Sequence, residues 1–191
     1  MVVLDTPRLY LRPPEERDLD AYVEIHEDPE VLKYLRSTGD AAGRVAGWRT
    51  IAMILGHWHL RGYGHWTVVE KATGEVIGRV GPCCPEGWNA VELGWLIRRS
   101  HWRRGFATEA ARAAIEFTFA ETDVDHLVSR ISAHNLRSVK VAEKIGERLE
   151  YVDTSTGEQA LVYGIRRAAT RPTAPGLVAH VSMPLFKCHT C

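Results

Sequence analysis

The sequence predicts a mixed α/β protein, and three observations support this fold class. Short segments that alternate apolar and polar residues, typical of strands, occur near the start and again in the second half. Segments with apolar residues at helical spacing separate them, so strands and helices interleave. A chain of 191 residues with 45% hydrophobic side chains can bury one substantial core. The predicted order is a strand, a helical block, three strands, a helix, a strand, a helix and two strands.

The N-terminal third is predicted to contain one strand followed by helices. Residues 7–12 alternate apolar and polar side chains, as strands do. The helical pattern that starts near Leu19 is divided into two short helices by Pro29. Residues 41–60 place apolar side chains at helical spacing, which predicts a long amphipathic helix ending near Gly62.

The middle of the chain is predicted to be three strands. Residues 65–71 and 75–84 are strand-like and flank a turn at 72–74, which makes them a hairpin candidate. Residues 89–98 form the third strand. An amphipathic helix follows, because Phe106, Ala110, Ala113 and Phe117 are spaced as one apolar stripe.

The last predicted elements alternate between strand and helix. Residues 125–134 are a strand, and residues 135–146 are a helix that an Asn opens and a Gly closes. Residues 148–152 and 160–166 supply two further strands. From residue 168 the composition changes to a Pro-containing linker and a tail.

Composition argues against two classes of partner. The chain carries 24 basic and 24 acidic residues, whereas general nucleic-acid binders usually have net positive charge. No apolar run approaches the roughly 18 residues of a membrane span, and the N-terminus lacks the pattern of a secretion signal. We therefore expect a soluble, cytoplasmic protein with neither a nucleic acid nor a membrane as partner.

The stretch between the third strand and its following helix has the features of an anion site. The first turn of a helix has unpaired N–H groups, and Gly105 and the small Ala107 allow close approach of a ligand. Arg103 and Arg104 add positive charge. The chain has no Walker-type or Rossmann-type glycine pattern. Spacing alone leaves open a phosphate cradle or an ordinary helix start.

Five motifs in order resemble the GNAT superfamily of acyl-CoA N-acyltransferases, and more narrowly its RimJ/RimL-like branch. They are TPRLYLRPPEERDLD, GHWTVVEKATGEVIGRVG, VELGWLI with WRRGFATEA, HNLRSVKVAEKIG and ALVYGIRR. Trp102 stands where the family's loop motif has Gln or Arg, a substitution common in this branch. The resemblance covers about residues 4–167, so we assign 1–167 to a GNAT domain and 168–191 to a linker and tail. It implies a mostly antiparallel, seven-stranded sheet that splays at its middle, with helices on both faces.

The resemblance also implies acetyl-CoA as co-substrate, without a metal, and an amine as acceptor. Backbone amides of the loop and first helical turn would hold the pyrophosphate: Arg103, Arg104, Gly105, Phe106, Ala107 and Thr108. Leu96 and Ile97 would pair with the pantetheine amides, and Asn135 and Ser138 would lie along the pantetheine near the thioester. Arg98, Arg99 and Lys144 are looser candidates for the ribose phosphate.

The catalytic groups depart from the family pattern, because Ala142 stands where many GNAT enzymes have a tyrosine that protonates the thiolate. We assign the acid role to Ser138 and the base role to Glu92, with His134 as the second candidate base. The alternatives are that Ser138 only bonds locally and that Glu92 faces solvent or pairs with an arginine. Glu147, where the family often has Phe or Met, is a further departure.

Several features remain outside this scheme. Trp58 is assigned to packing, with contact to the acceptor by it or its neighbours His57 and His59 as the alternative. The four cysteines, Cys83, Cys84, Cys188 and Cys191, fit neither a disulfide framework nor a closed zinc site. The apolar residues 177–186 are predicted to pack as an extra strand or arm on a monomer or homodimer. A non-catalytic acyl-CoA-binding or regulatory module is the rival to an enzyme.

Overall fold

The protein folds as one sheet with helices on both faces. The structure, a computed structural model, describes residues 2–34, 43–155 and 159–168. The strands are β1 Leu4–Asp5, β2 Leu9–Arg12, β3 Trp66–Glu70, β4 Val76–Cys83, β5 Glu92–Ile97, β6 His126–Ser132, β7 Arg148–Asp153 and β8 Ala160–Arg166. The helices are α1 Leu19–Glu27, α2 Pro29–Leu32, α3 Gly43–Arg61, α4 Phe106–Glu121 and α5 Leu136–Ile145.

The sheet has the strand order β1-β2-β3-β4-β5-β6-β8-β7. Neighbouring strands are antiparallel except β5 and β6, which run parallel. The predicted fold class is confirmed. The eighth strand, absent from the sequence prediction, is the two-residue β1, which a turn with the Thr6 amide bonded to the Leu9 oxygen folds back onto β2.

The predicted helix boundaries have clear local causes. Pro29 begins α2, and the Asp28 side chain accepts a hydrogen bond from the Glu30 amide as its cap. The Asn135 side chain caps α5 by accepting from the Ser138 amide, and Gly146 ends it in the left-handed conformation with φ 96°. These predictions from single residues are confirmed.

The side chains of β5, which alternate between the two faces of the sheet, show which helices lie on each face. Leu96 packs with Ile25 of α1 and Val31 of α2, whereas Trp95 contacts Ser138 of α5. Because successive side chains of a strand point to opposite faces, α1 and α2 lie on one face and α5 on the other. Helix α4 packs against α5 as well as against β4 and β5, so it lies on the same face as α5.

Some predictions fall outside the residues that the structure describes. The predicted arm at 177–186, with Cys188 and Cys191, lies there, as do the first two residues of the helix predicted over 41–60. Among the helices that the structure does describe, none combines the length and apolar character that crossing a membrane requires.

Candidate active site

The parallel pair β5–β6 opens into a gap in the middle of the sheet. The only registered pair is Glu92 with Val128, where the Val128 amide donates to the Val91 oxygen at 3.0 Å. Every other strand pair of the sheet has at least two registered residues. Pairing between the two strands therefore ends after Glu92 and Val128, which we call the vertex of the gap. This agrees with the sheet that the resemblance predicts, which splays at its middle.

The backbone of β5 presents hydrogen-bonding groups to this gap. The Arg98 amide donates to Ile77 of β4 at 2.7 Å, so by antiparallel alternation the backbone groups of Leu96 also face β4. Consistent with this, a Cβ added to Gly78 would lie 2.0 Å from the Leu96 oxygen. The expected pairing of Leu96 with the pantetheine amides does not fit this orientation. Beyond Leu93 at the vertex, the residues of β5 whose amide and carbonyl face the gap are thus Trp95 and Ile97, and Trp102 Nε1 already donates to the Ile97 oxygen at 2.6 Å.

At its far end the gap meets the loop before α4, which has the geometry of an anion cradle. Gly105, the residue before the helix, is left-handed with φ 81°, and Arg103 is left-handed with φ 62°. The Gly105 position offers no side chain to cap the helix, so the amides of its first turn are not capped in that way. Consecutive amides in such a loop, together with the helix dipole, favour a bound phosphate.

Arg104 holds the loop in place as well as adding charge. Its guanidinium donates to the Glu70 carboxylate at 2.7 Å, and its carbonyl accepts from Arg8 at 2.9 Å. Arg8 also pairs with Glu109 in the first turn of α4 at 2.6 Å. The loop is therefore anchored to β3 and to the segment before β2, which preorganises the backbone amides.

The remaining cations near the loop differ in their partners. Arg98 pairs with Glu24 at 2.9 Å, and Arg99 pairs with Asp28 at 3.0 Å. These two of the three looser candidates for the ribose phosphate thus tie the end of β5 to the helices α1 and α2. Arg103 and Lys144 are exposed, and neither forms an ion pair with any residue of the described part of the chain.

Ser138 lies in the first turn of α5, beside the gap. Its amide is bonded to Asn135 Oδ1 at 3.2 Å, and its Oγ accepts from Trp95 Nε1 at 3.3 Å. An indole N–H can only donate, so Ser138 is the acceptor in this bond and its own hydroxyl proton stays available for another acceptor. The structure thus brings together Asn135, Ser138 and the gap-facing strand.

Glu92 lies at the vertex on the other face of the sheet from Ser138. It is opposite Cys83 on β4 and Val128 on β6, and by alternation its side chain shares a face with Leu96. The two proposed catalytic residues therefore flank the vertex from opposite faces. His134, the second candidate base, is exposed at the end of the turn after β6.

The comparisons with known proteins agree with this geometry. The acetyltransferase (GNAT) domain family matches residues 8–148. The chain belongs to the GNAT family. An N-acetyltransferase of Bacillus licheniformis, p20, is 30% identical over 152 residues, which is 78% of this chain and 84% of p20. Together these matches support an N-acetyltransferase.

Solved GNAT structures have the same fold. An acetyltransferase from Agrobacterium tumefaciens superposes with a TM-score of 0.77 at 33% identity, covering 87% of this chain and 95% of that one. RimL, a ribosomal L7/L12 alpha-N-protein acetyltransferase in complex with coenzyme A, superposes with a TM-score of 0.74 at 17% identity, covering 87% and 98%. The second likeness establishes the fold alone.

The position where many GNAT enzymes have the proton-donating tyrosine is buried in this chain. Ala142 is 0% exposed and packs with Ile131 and Tyr163 beneath α5. The position is thus part of the core.

Two of the three candidates at the end of α3, Trp58 and His57, are held by buried contacts. Trp58 is buried, donates to the His65 oxygen at 2.8 Å and packs edge-on against Trp66 at 4.9 Å. His57 accepts from the Cys84 amide at 2.9 Å, so its other nitrogen carries the proton given to the Tyr63 oxygen. His59 is exposed.

Neither cysteine of the described residues is disulfide-bonded, and burial raises the pKa of the Cys83 thiol to about 11. The residues that the structure describes include no cluster of His, Cys, Asp or Glu that could hold a metal.

A buried basic pair explains the glycine in the middle of β5. Arg79 donates to His65 Nδ1 at 2.7 Å, so the His65 proton is on Nε2, and burial lowers the pKa of His65 well below its usual value. A Cβ at Gly94 would lie 3.2 Å from that Nε2. A larger residue at position 94 would therefore require the neutral histidine behind this strand to shift slightly.

Two residues near the gap were not singled out from the sequence, although both lie inside the quoted motifs. Trp95 is the hydrogen-bond donor to Ser138. Arg137 of α5 stacks over Trp102 with its guanidinium 4.2 Å from the ring centre, bridging the two sides of the gap. Their positions in the sequence were the available signal. Trp95 lies two residues before Ile97, and Arg137 lies one residue before Ser138.

Proposed function

We propose that this GNAT protein transfers the acetyl group of acetyl-CoA to a primary amine. The observation that carries the proposal is the gap between β5 and β6, which leads from the amides of α4 to the hydroxyl of Ser138. The amides at one end of the gap suit the pyrophosphate of acetyl-CoA, and the hydroxyl at the other end suits its thioester. The family supports acetyl-CoA as the donor.

The residues present fit the co-substrate along its length. Amides of Arg103, Arg104, Gly105, Phe106, Ala107 and Thr108 would hold the pyrophosphate, as first-turn amides commonly do. The amide and carbonyl of Trp95 and the amide of Ile97 face the gap and would pair with the pantetheine. Asn135 fixes the start of α5 and so positions Ser138 beside the pantetheine.

The acetyl thioester supplies an activated acyl group. The amine nitrogen forms the new bond to the carbonyl carbon, the carbon–sulfur bond breaks, and the thiolate leaves. Ser138 donates its free hydroxyl proton to the sulfur, because Trp95 already occupies a lone pair of its oxygen, and the serine oxygen takes a replacement proton from solvent water. Glu92, on the opposite face of the vertex, receives the amine proton directly or through water.

The acceptor is a protein N-terminal amine or a small primary amine. The named structural neighbour RimL acetylates a ribosomal protein, and five motifs resemble the RimJ/RimL-like branch.

An acceptor screen read by release of free CoA tests the proposal. We expect turnover with one member of a panel of peptide N-termini, polyamines and aminoglycosides. Ser138→Ala and Glu92→Gln should each lower kcat by about 10²-fold, the size typical of a lost acid or base. Full activity in both variants would overturn the assigned roles, and Ser155→Ala, in the loop after β7, serves as the matched control.

The rival function, a non-catalytic acyl-CoA-binding module, is favoured by one observation, the buried Ala142 in place of the usual acid. It predicts tight binding of acetyl-CoA without CoA release for any acceptor. Calorimetric binding measured alongside the screen separates the two.

A further inference from the structure

The carbonyl of Leu93 marks the point where the two central strands part. In a regular parallel ladder continuing from Glu92 and Val128, this oxygen would accept from the amide of Arg130. Registered pairing ends before that bond, and the Leu93 oxygen accepts from the Ser129 hydroxyl at 2.9 Å. A side chain of β6 thus holds β5 at the vertex of the gap.

Ser129 is in turn bonded to Glu147, and this fixes where the protons are. Ser129 Oγ lies 2.8 Å from Glu147 Oε1. A serine hydroxyl has one proton, and a carbonyl oxygen can only accept. Both contacts can be hydrogen bonds at once only if Ser129 donates to Leu93 and Glu147 carries a proton on Oε1 that it donates to Ser129.

The surroundings of Glu147 favour this protonated form. The side chain is 3% exposed, and its second oxygen, Oε2, has no hydrogen-bond partner among the described residues. Burial raises the pKa of Glu147 to about 7; the hydrogen bond with Ser129 acts in the opposite direction, and the charge of Glu150 on β7 adds to the effect of burial. Glu150 is itself paired with His126 of β6 at 2.8 Å, and the group of β6 bonded to Glu147 is the uncharged Ser129.

We propose that Glu147 is a positioning residue that, as a neutral acid, holds the vertex of the cofactor gap closed through Ser129 and Leu93. When Glu147 loses its proton, the carboxylate draws the single Ser129 proton to itself and the Leu93 carbonyl loses its donor. The strand that pairs with the pantetheine is then less firmly held. The inference rests on the proposed function, because it takes the β5–β6 gap as the acetyl-CoA site.

The test measures acetyl-CoA binding by calorimetry at about pH 6 and about pH 8.5, on either side of the Glu147 transition. In Glu147→Gln the amide donates to Ser129 at every pH and so reproduces the protonated state. We expect the Kd of the wild type, relative to that of E147Q, to rise about tenfold between the two pH values, the effect of one hydrogen bond. Taking the ratio cancels the titration of CoA itself.

Two further variants complete the test. Ser129→Ala should bind about tenfold more weakly than E147Q at both pH values, because Leu93 lacks its donor throughout. Glu116→Gln, an exposed glutamate of α4, should behave as the wild type. If E147Q does not fold, the wild type is compared with S129A instead. The Kd values of these two proteins should then differ at the lower pH and agree at the higher pH.

The outcomes separate this inference from the proposed function. A wild-type to E147Q ratio that is constant with pH, or an S129A affinity that equals the wild type at both, overturns the role of Glu147. No acetyl-CoA binding by the wild type at either pH overturns the proposed function instead. An infrared band of a protonated carboxyl that the wild type shows at the lower pH and E147Q lacks would support the assigned proton directly.

Discussion

At the scale of single residues, the hydroxyl of Ser138 is directed by its neighbour. Because the Trp95 indole can only donate, it leaves the serine proton free for the leaving group. Without it, a serine in the first turn of a helix turns to a carbonyl of the preceding residues. Trp95 thus determines whether Ser138 can act as an acid.

We therefore expect Trp95→Phe to lower kcat by about tenfold, the effect of one misdirected hydrogen bond. The Kd of acetyl-CoA should change less than kcat, since the backbone of β5 remains. Steady-state kinetics with calorimetry measure the two effects. Trp88→Phe, in the exposed loop before β5, is the matched control, and equal kcat values for both variants would contradict the assignment.

Glu147 should also make stability depend on pH. Its folded pKa of about 7 is higher than the ordinary value of 4.5, so the folded state favours the protonated form. The favourable contribution is complete below about pH 4.5, and it falls as pH rises towards 7 and stays lost above it. At 1.36 kcal/mol per pKa unit the loss reaches about 3 kcal/mol.

Glu147→Gln should accordingly unfold like the wild type at about pH 5 and be more stable above about pH 7, by up to about 3 kcal/mol. Urea unfolding across this range measures the difference. A stability gap between the two proteins that is independent of pH would rule the mechanism out.

At the scale of elements, the loop before α4 depends on one backbone conformation. Gly105 has φ 81°, where any other residue costs about 1 kcal/mol or more. A Cβ there would also lie 3.4 Å from the Arg8 guanidinium. The amides of the cradle therefore keep their direction only with glycine at this position.

The pair Gly105→Ala and Gly87→Ala tests this role. Both glycines are left-handed, and a Cβ at Gly87 would meet nothing within 4 Å. We expect similar losses of stability, about 1 kcal/mol each, but only G105A should weaken acetyl-CoA binding, by about tenfold. Equal affinities in the two variants would show that the loop amides do not hold the co-substrate.

Much of each element was predictable, because local signals carry it. The Asn135 cap, the Gly146 end and the break at Pro29 act within one helical turn and were read from the sequence. The partners of Arg98 and Arg104 could not be predicted in this way. Glu24 and Glu70 are distant along the chain, and only the fold brings them close.

The same distinction applies to the site. The gap, the loop and Ser138 followed from a resemblance across several motifs. The orientation of the Leu96 carbonyl depends on the register of β4 with β5, which no single segment encodes. The neutral Glu147 depends on burial by three elements, so from its sequence position it was only an unexplained departure.

At the scale of the whole molecule, the sheet consists of two parts that are each continuous in sequence. Strands β1 to β5 come from residues 4–97, and β6 to β8 come from residues 126–166. Among the described residues, the one strand pair that joins the parts is β5–β6, with its single registered pair. Helix α4 adds to the connection, because it packs against both β5 and α5.

This predicts unequal hydrogen exchange in the two parts. Without a ligand, the amides of β6 and β8 should exchange faster than those of β3 and β4, because the smaller part can open on its own. Saturating acetyl-CoA should reduce the difference, and exchange measured by mass spectrometry with and without it provides the test. An unchanged ratio of rates would mean that the two parts unfold as one.

The single-pair junction has a consequence for how long the protein survives. A molecule bound between the two parts serves as a structural brace, and at a hundred times its Kd it adds about 2.7 kcal/mol to stability. When that molecule is scarce, the smaller part opens more often and offers its chain to proteases. The supply of acetyl-CoA would then govern the amount of this enzyme as well as its rate.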